Sequence, residues 1–265
     1  MSDRVLLSVE RGVAHVRLNR PDKRNGLDLA QFEAILAAGE RLLADRSVRA
    51  VVLSGEGKAF CAGLDFMAFL GAPHEERERM LVRPEATPAN LAQRVGWIWR
   101  ELPVPVIAAV HGAAFGGGLQ IALGADLRYL GRDAQLSVME IKWGLIPDMS
   151  GTRTLLGLVR EDVARELTYT GRVVGAEEAV TLGLGTRVCD DPLATALETA
   201  RLIASKSPDA IRAGKALWNE APRLDTPALF LRETELQLSL LGSANQLEAV
   251  SANLEGRAAV FRDPA

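Results

Sequence analysis

The chain has 265 residues, of which 48% are hydrophobic and 25% are charged, and its formal net charge is −3. This length and composition fit a globular protein with a substantial core, while the slightly acidic balance gives no reason to expect nucleic acid as a partner. Because no secretory h-region opens the chain and no apolar run reaches the roughly 18 residues of a membrane span, we expect a cytoplasmic protein without a membrane partner.

Strands and one helix are predicted for the first part of the chain. Residues 5–9 and 13–18 are β-prone runs that predict a hairpin, and residues 49–54 predict a third strand. Between them, Asp28 is predicted to cap a helix that extends to about Asp45.

A charged segment with two prolines follows at residues 70–86. It predicts a connection without regular structure, either a mobile lid or a solvated loop. Thr87 as the cap and Pro88 in the first turn then predict a helix that extends to Leu102.

Three consecutive glycines, residues 116–118, stand between a predicted buried strand at 106–110 and an apolar helical segment at 119–123. Glycines allow strained dihedrals or the close approach of a ligand to the backbone. Since the first amides of a helix lack internal acceptors, this turn predicts a site for an anion or a developing oxyanion. Close packing of the helix on the strand is the alternative, and a dinucleotide site is less favoured because the GxGxxG spacing is absent.

The pattern changes along the second half of the chain. Two strands, three helices and a last strand are predicted at residues 127–130, 134–138, 151–158, 163–170, 176–182 and 186–189. From Pro192 onward only helices are predicted. We therefore divide the chain into a mixed core, residues 1–191, and a helical region, residues 192–265, which we expect to bury its free faces against another subunit.

Four motifs in order along the chain resemble the crotonase superfamily, also called the enoyl-CoA hydratase/isomerase family. They are NRPDKRNGLD, KAFCAGLD, AVHGAAFGGGLQIALGAD and MEIKWGLIPDMSGTRTL. The resemblance implies an α/β fold, a spiral of strand-strand-helix repeats with two nearly perpendicular sheets. It also implies a C-terminal helical region that builds homotrimers or dimers of trimers, and an acyl-CoA thioester as substrate. No cofactor is expected, because coenzyme A is part of the substrate.

The resemblance assigns binding roles to both glycine turns and to a loop before the first helix. The backbone amides of Ala62 and Gly117 would form the oxyanion hole. The CoA-binding residues would be Lys23, Arg24, Gly26, Leu27 and, from the same chain or across a subunit boundary, Arg262. For each of the three cations, a solvated charge without a ligand is an equal alternative.

The resemblance also points to three catalytic positions. The two glutamates of the family's hydratases would fall at Gln120 and Glu140, but glutamine cannot exchange a proton at neutral pH. Asp148 is similar to the aspartate of dienoyl-CoA isomerases, although those enzymes also carry an acid where Gln120 stands. Chlorobenzoyl-CoA dehalogenases have an aspartate there too, but usually a tryptophan in place of Glu140. Our hypothesis is that Glu140 and Asp148 act as paired acid and base.

Several alternatives remain open at this stage. The leading hypothesis is an enoyl- or dienoyl-CoA isomerase, and the second is a hydratase in which Glu140 works with Gln120 or Asp148. A catalytically silent CoA- or RNA-binding relative is the third. Glu140 could instead pair with a neighbouring cation, and Asp148 could cap a helix.

Histidine and cysteine offer no stronger site. His15, His74 and His111 lack ligand spacing, so no metal site is predicted. The two cysteines, Cys61 and Cys189, are far apart in sequence and predict no disulfide framework. Cys61 is interpreted as a packed thiol rather than a nucleophile.

Overall fold

Two β-sheets form the centre of the computed structural model, which describes residues 3–85 and 87–264. The strands are β1 (Val5–Glu10), β2 (Val13–Leu18), β3 (Ala50–Gly55), β4 (Val106–Val110), β5 (Ala113–Phe115), β6 (Leu127–Gly131), β7 (Gln135–Ser137), β8 (Val174–Gly175) and β9 (Arg187–Cys189). The large sheet has the order β1-β2-β3-β4-β6-β9 and the small sheet the order β5-β7-β8. The predicted α/β fold with two sheets and the predicted N-terminal hairpin are confirmed.

Helices cover the sheets and make up the end of the chain. They are α1 (Leu29–Ala44), α2 (Phe66–Gly71), α3 (His74–Leu81), α4 (Leu91–Glu101), α5 (Gly117–Leu123), α6 (Gly151–Leu155), α7 (Glu161–Thr170), α8 (Ala176–Leu182), α9 (Pro192–Ala204), α10 (Pro208–Glu220), α11 (Thr226–Leu240) and α12 (Ala244–Glu255). Short 3₁₀ helices span Pro21–Lys23, Glu140–Trp143 and Ala221–Arg223. Within the described residues no strand follows Pro192, as predicted.

Strands β2, β3, β4, β6 and β9 run parallel, and this parallel core determines where the loops meet. β3 and β4 are buried on both faces, which explains their nearly continuous apolar sequences. Because neighbouring parallel strands end at the same edge of a sheet, the turns after β3 and β4 lie side by side. An isolated parallel bridge joins Cys61, in the turn after β3, to Ala114 of β5, the short strand that follows β4.

The structure agrees with one predicted helix cap and disagrees with another. The side chain of Asp28 accepts a hydrogen bond from the amide of Gln31 and caps α1, as predicted. The prediction that Thr87 caps the next long helix is wrong. Asn90 caps α4 in a reciprocal capping box with Gln93, which satisfies the first free amides more completely than the Thr-Pro pair could.

The segment predicted to lack regular structure, residues 70–86, contains all of helix α3 and the end of α2. That prediction is wrong for the described part, and Ala86 lies outside the described residues. The helices form because Phe69 and Met80 pack against the core, although the surface of α3 is highly charged.

The helical end of the chain begins with a helix that packs on the large sheet. Ala196 and Ala200 of α9 are fully buried against Val52 and Ile107. Beyond it, large apolar side chains of α11 and α12 are exposed: Phe230, Leu231, Leu238, Leu247 and Leu254. Assembly of subunits through this region stays a prediction. No helix in the described part of the chain combines the length and apolar character needed to cross a membrane.

A buried ion pair attaches α10 to the core. Lys215 Nζ donates hydrogen bonds to the carbonyl oxygens of Trp99 and Val104, at 3.1 and 2.8 Å, and to Asp126 Oδ2 at 2.8 Å. Asp126 Oδ2 also accepts from the amide of Val106 at 2.7 Å. Three backbone groups thus depend on one charge pair, in which Lys215 is buried and Asp126 is half-buried.

We expect Lys215→Met to lower the free energy of unfolding by about 3 kcal/mol, because it leaves the half-buried Asp126 and two buried carbonyl oxygens without their cation. Urea unfolding followed by circular dichroism, at matched protein concentration, measures the change. Lys206→Met, at an exposed position, is the control and should change stability by less than about 0.5 kcal/mol. A similar small loss for both variants would contradict the structural role of Lys215.

Candidate active site

A cavity of about 200 Å³ opens where the turns after β3 and β4 meet. One side consists of backbone from the two glycine turns, and another carries two carboxyl groups. The remaining walls are apolar. The lining residues are Phe32, Ala62, Gly63, Leu64, Phe66, Phe69, Met80, Leu81, Ala92, Phe115, Gly116, Gly117, Met139, Glu140, Trp143, Leu145, Asp148 and Met149. An apolar cavity with a few converging polar groups is typical of a small-molecule site.

The amide of Ala62 cannot act as an oxyanion donor in this structure. It donates its hydrogen to the carbonyl oxygen of Arg24 at 2.9 Å, so it is already engaged in the fold. The assignment of Ala62 to the oxyanion hole is therefore wrong. The correct turn was identified, but the free amide lies two residues further along.

Leu64 carries that free amide. Both of its neighbours bond to Leu27: the carbonyl oxygen of Gly63 accepts from Leu27 N at 2.8 Å, and Asp65 N donates to Leu27 O at 2.9 Å. In this parallel pairing the amide of Leu64 points away from Leu27. It has no acceptor among residues 3–85 and 87–264, and Leu64 lines the cavity.

The amide of Gly117 lies beside this position. Gly117 is the first residue of α5, whose first internal bond is donated by Gln120 to the carbonyl oxygen of Gly116, and no side chain caps the helix. A Cβ placed on Gly63 would lie 3.6 Å from the nitrogen of Gly117. The backbone next to Leu64 therefore directly adjoins the amide of Gly117, and the helix dipole favours a negative charge there.

Glu140 lines the same cavity and lies next to the glycine turn. It is 8% exposed and begins the short helix Glu140–Trp143. Its Oε1 accepts a hydrogen bond from Gln120 Nε2 at 2.6 Å, whereas its buried Oε2 has no partner within the described structure. A Cβ on Gly116 would come within 3.4 Å of Oε1, so the carboxyl group lies directly against the glycine turn.

Burial raises the pKa of Glu140 above its ordinary value. The hydrogen bond from Gln120 opposes this shift because it stabilises the ionised form, and the nearby carboxyl group of Asp148 adds to it. The alternative in which Glu140 pairs with Lys142 or Arg153 is not observed, since no such ion pair exists in the described part of the chain. Glu140 is thus a buried carboxyl group with one oxygen available.

The buried side chain of Gln120 bonds to Glu140 and to the loop that carries Asp148. Its Oε1 accepts hydrogen bonds from the amides of Met149 and Gly151, both at 2.8 Å. These two bonds determine the orientation of the side-chain amide, so Nε2 must point toward Glu140. Gln120 is 2% exposed and does not line the cavity.

Asp148 lies on the loop that Gln120 holds. Asp148 is an exposed residue that lines the cavity, and its carboxyl group is partly shielded from solvent. This partial burial raises the pKa of Asp148, and a bond from its own backbone amide opposes the shift. Among the described residues no side chain caps α6, so the alternative role of Asp148 as a helix cap is not observed.

The predicted CoA loop lies at the same edge of the large sheet. Arg24 and Asn25 both have left-handed backbone conformations, with φ of 49° and 56°, and Asn25 Nδ2 donates to the carbonyl oxygens of Ala59 and Phe60. Lys23 and Arg24 are exposed. The loop therefore presents two cations beside the turn that carries Leu64.

Arg262 lies at the other edge of the large sheet. Its backbone bonds to Asn245, and the neighbouring Asp263 pairs with Arg49 at the start of β3. The CoA loop lies past the far end of β3, six residues beyond Arg49, and at about 3.3 Å per residue this is roughly 20 Å away. Arg262 and the CoA loop of one chain therefore do not meet, and only a contact across a subunit boundary stays a prediction.

The interpretation of Cys61 as a packed thiol agrees with its surroundings in the structure. Cys61 is buried, its Sγ donates to the carbonyl oxygen of Asn25, and burial raises the pKa of the thiol to about 12. These features fit a packed thiol. No group of three or more potential metal ligands is found among residues 3–85 and 87–264.

A model of the enoyl-CoA hydratase/isomerase family matches residues 8–264 of this chain. A mitochondrial Δ(3,5)-Δ(2,4)-dienoyl-CoA isomerase of Rattus norvegicus is 34% identical over 268 residues, which cover 94% of this chain and 78% of the relative. A probable enoyl-CoA hydratase of Mycobacterium tuberculosis, EchA14, is 40% identical over 215 residues, which cover 81% of this chain and 80% of the relative.

The structure is similar to solved structures along nearly its whole length. A crystal structure of an enoyl-CoA hydratase from Bacillus anthracis superposes with a TM-score of 0.89 at 29% sequence identity. The match covers 98% of this chain and 100% of that chain. The spiral two-sheet fold implied by the four motifs is confirmed by this similarity.

We expect Glu140→Gln to raise the free energy of unfolding at pH 7.5. The folded state raises the pKa of Glu140, so ionisation of this carboxyl group destabilises the fold progressively as the pH rises through the folded pKa. Glutamine cannot ionise and can still accept the bond from Gln120. The gain should disappear near pH 4, where the carboxyl group is largely protonated in both states.

Urea unfolding of the wild type and the variant at both pH values measures this difference. Glu198→Gln, at an exposed position on α9, is the matched control and should leave stability unchanged at either pH. A loss of stability at pH 7.5 would mean that Glu140 is ionised and well stabilised in the fold.

Proposed function

This chain belongs to the enoyl-CoA hydratase/isomerase family of the crotonase superfamily, and from that membership we propose that it moves a double bond within an enoyl- or dienoyl-CoA thioester. The observation that carries the proposal is the arrangement around Gln120. One carboxyl group with a free buried oxygen and a second carboxyl group on the adjoining loop face the same cavity. No cofactor takes part in the proposed reaction, since coenzyme A enters with the substrate.

The amides of Leu64 and Gly117 bind the thioester oxygen in this mechanism. When a carbon acid next to the thioester loses a proton, the electron pair moves onto the carbonyl oxygen. Two N–H groups aimed at that oxygen stabilise the charge, and each contributes about 3 to 4 kcal/mol in a water-poor site. The partial positive charge at the start of α5 adds to this stabilisation.

Glu140 and Asp148 transfer the proton. One carboxylate removes a proton from one end of the conjugated system, the enolate forms, and the other carboxylic acid protonates the opposite end, which shifts the double bond. Burial raises the pKa of both groups, so each holds a proton to a higher pH than an exposed carboxyl group would. Coupling between them favours the state with one proton on the pair.

Addition of water is less well supported, because the oxygen of Gln120 is fully used. Both of its lone pairs accept bonds from the amides of Met149 and Gly151, so it cannot accept a hydrogen bond from an attacking water. A hydratase would need Glu140 and Asp148 to hold the water between them. The 40% identity to the probable enoyl-CoA hydratase keeps this reaction as the second candidate.

The proposal extends to the rest of the substrate and to assembly. The backbone around Gly26 and Leu27 and the cations Lys23 and Arg24 bind the CoA moiety, and Arg262 of another subunit approaches a phosphate. The exposed apolar faces of α11 and α12 support burial against further subunits, as a homotrimer or a dimer of trimers.

We expect Asp148→Asn to reduce isomerisation of a dienoyl-CoA by about 10²- to 10⁴-fold, because one of the two proton-transfer groups is lost. Exchange of the substrate's acidic proton with deuterated water should continue if Glu140 is the base that removes it. Mass spectrometry of recovered thioester and the absorbance of the conjugated diene give the two rates. Asp162→Asn, on the surface of α7, is the control, and undiminished isomerisation by Asp148→Asn would refute the paired mechanism.

A bound thioester should also show a polarised carbonyl group. For hexadienoyl-CoA labelled with ¹³C at the carbonyl, we expect the infrared stretch to shift to lower frequency on binding, because two amides withdraw electron density. Gly117→Ala should reduce the shift, because the new Cβ would lie 2.6 Å from Met149 Sδ and 2.9 Å from Leu27 Cδ1, two buried side chains, and relieving both contacts disturbs the alignment of the amide. Gly214→Ala, on α10 with open space at its Cβ, is the control. An unshifted stretch in the wild-type complex would contradict the oxyanion hole.

A further inference from the structure

A second cavity of about 300 Å³ adjoins the active site. The two cavities share the side chains of Leu64, Phe69 and Met80, and Leu64 is also the residue whose amide faces the thioester. The start of α1 and the faces of α2 and α3 form the other walls of the second cavity. They are Asp28, Leu29, Ala30, Ala68, Gly71, Ala72 and Arg77.

The two charged residues of the second cavity differ in whether the described structure supplies an opposite charge to each of them. Asp28 is paired with Arg4 at 2.9 Å and with Arg20 at 3.3 Å, and it caps α1. Its charge is therefore neutralised by the fold. Arg77 has no ion-pair partner among the described residues, although its neighbour on the same helix, Arg79, pairs with Glu33.

The guanidinium group of Arg77 lies near Phe69, one of the side chains that both cavities share. Its guanidinium carbon lies 6.0 Å from the centre of the Phe69 ring, and its buried Nε has no acceptor within the described structure. A buried N–H group without an acceptor raises the free energy of the folded state, and binding of an acceptor removes this penalty. Met80 follows Arg77 by three residues on α3, so the two side chains lie on the same face.

We propose that the second cavity receives the far end of the acyl chain and that Arg77 binds a terminal carboxylate there. The substrate class is then a CoA thioester of a dicarboxylic acid. This inference rests on the proposed function, since the thioester end is held by the amides of Leu64 and Gly117. The methylene groups of the chain pack on Phe69 and Met80, and the carboxylate forms a bidentate, charge-assisted pair with the planar guanidinium group.

Binding of saturated thioesters tests the proposal without any turnover. Isothermal titration calorimetry compares CoA esters of straight-chain monocarboxylic acids of six to twelve carbons with the mono-CoA esters of the matching dicarboxylic acids. We expect the wild type to bind at least one dicarboxylic ester about tenfold or more tightly than its monocarboxylic counterpart. Arg77→Met should abolish that preference and leave binding of the monocarboxylic esters within about twofold. Arg77→Lys should retain part of it, because lysine keeps the charge but not the planar fork.

Arg79→Met is the matched control on the same helix and should leave the preference intact. The inference fails if the wild type shows no preference at any chain length. It also fails if Arg77→Met weakens both classes of ester equally, since that result would assign Arg77 to a phosphate of coenzyme A. If neither class binds to the wild type, the proposed function itself is wrong. Measurable binding of monocarboxylic esters without a preference would leave that function standing.

Discussion

The parallel pairing of β3 and β4 is the constraint on which the site depends. It brings the chain segments that follow these strands to one edge of the large sheet, where a bridge joins Cys61 after β3 to Ala114 in β5. The fit is so close that a Cβ on Gly118 would come within 2.2 Å of the carbonyl oxygen of Cys61. Only glycine allows this approach, and the approach places the free amides of Leu64 and Gly117 side by side.

Gln120 is a second constraint on the site, because it connects separate parts of the chain through three hydrogen bonds. It holds Glu140 through its nitrogen and the 149–151 loop through its oxygen. The carboxyl groups of the site therefore do not rely on each other for position. A buried polar group whose hydrogen bonds are all satisfied, as those of the Gln120 oxygen are, stabilises one arrangement strongly. Oε2 of Glu140 takes no part in this network and has no partner among the described residues.

Local patterns were sufficient to predict the hairpin, the buried strands β3 and β4 and the glycine turn that begins α5. They were insufficient for the free amide at Leu64, because this depends on pairing with Leu27, 37 positions earlier, and no local pattern records that register. The left-handed φ of 85° at Gly63 is the nearest local signal of a change in backbone direction. Helix α3 was missed for a related reason, since Met80 stabilises it through tertiary packing that outweighs its charged composition.

The side-chain amide at position 120 has a consequence for how such sites diverge. Glutamate is isosteric with glutamine, and one of its oxygens could keep both bonds to the 149–151 loop. Its other oxygen would then lie about where Nε2 now approaches Glu140, and two carboxylates at that separation could coexist only by sharing a proton. Gln120 only holds its neighbours by hydrogen bonds. A glutamate at this position could also carry a proton, and the backbone would not need to move. In this architecture the type of reaction can change through a single atom while the fold stays the same.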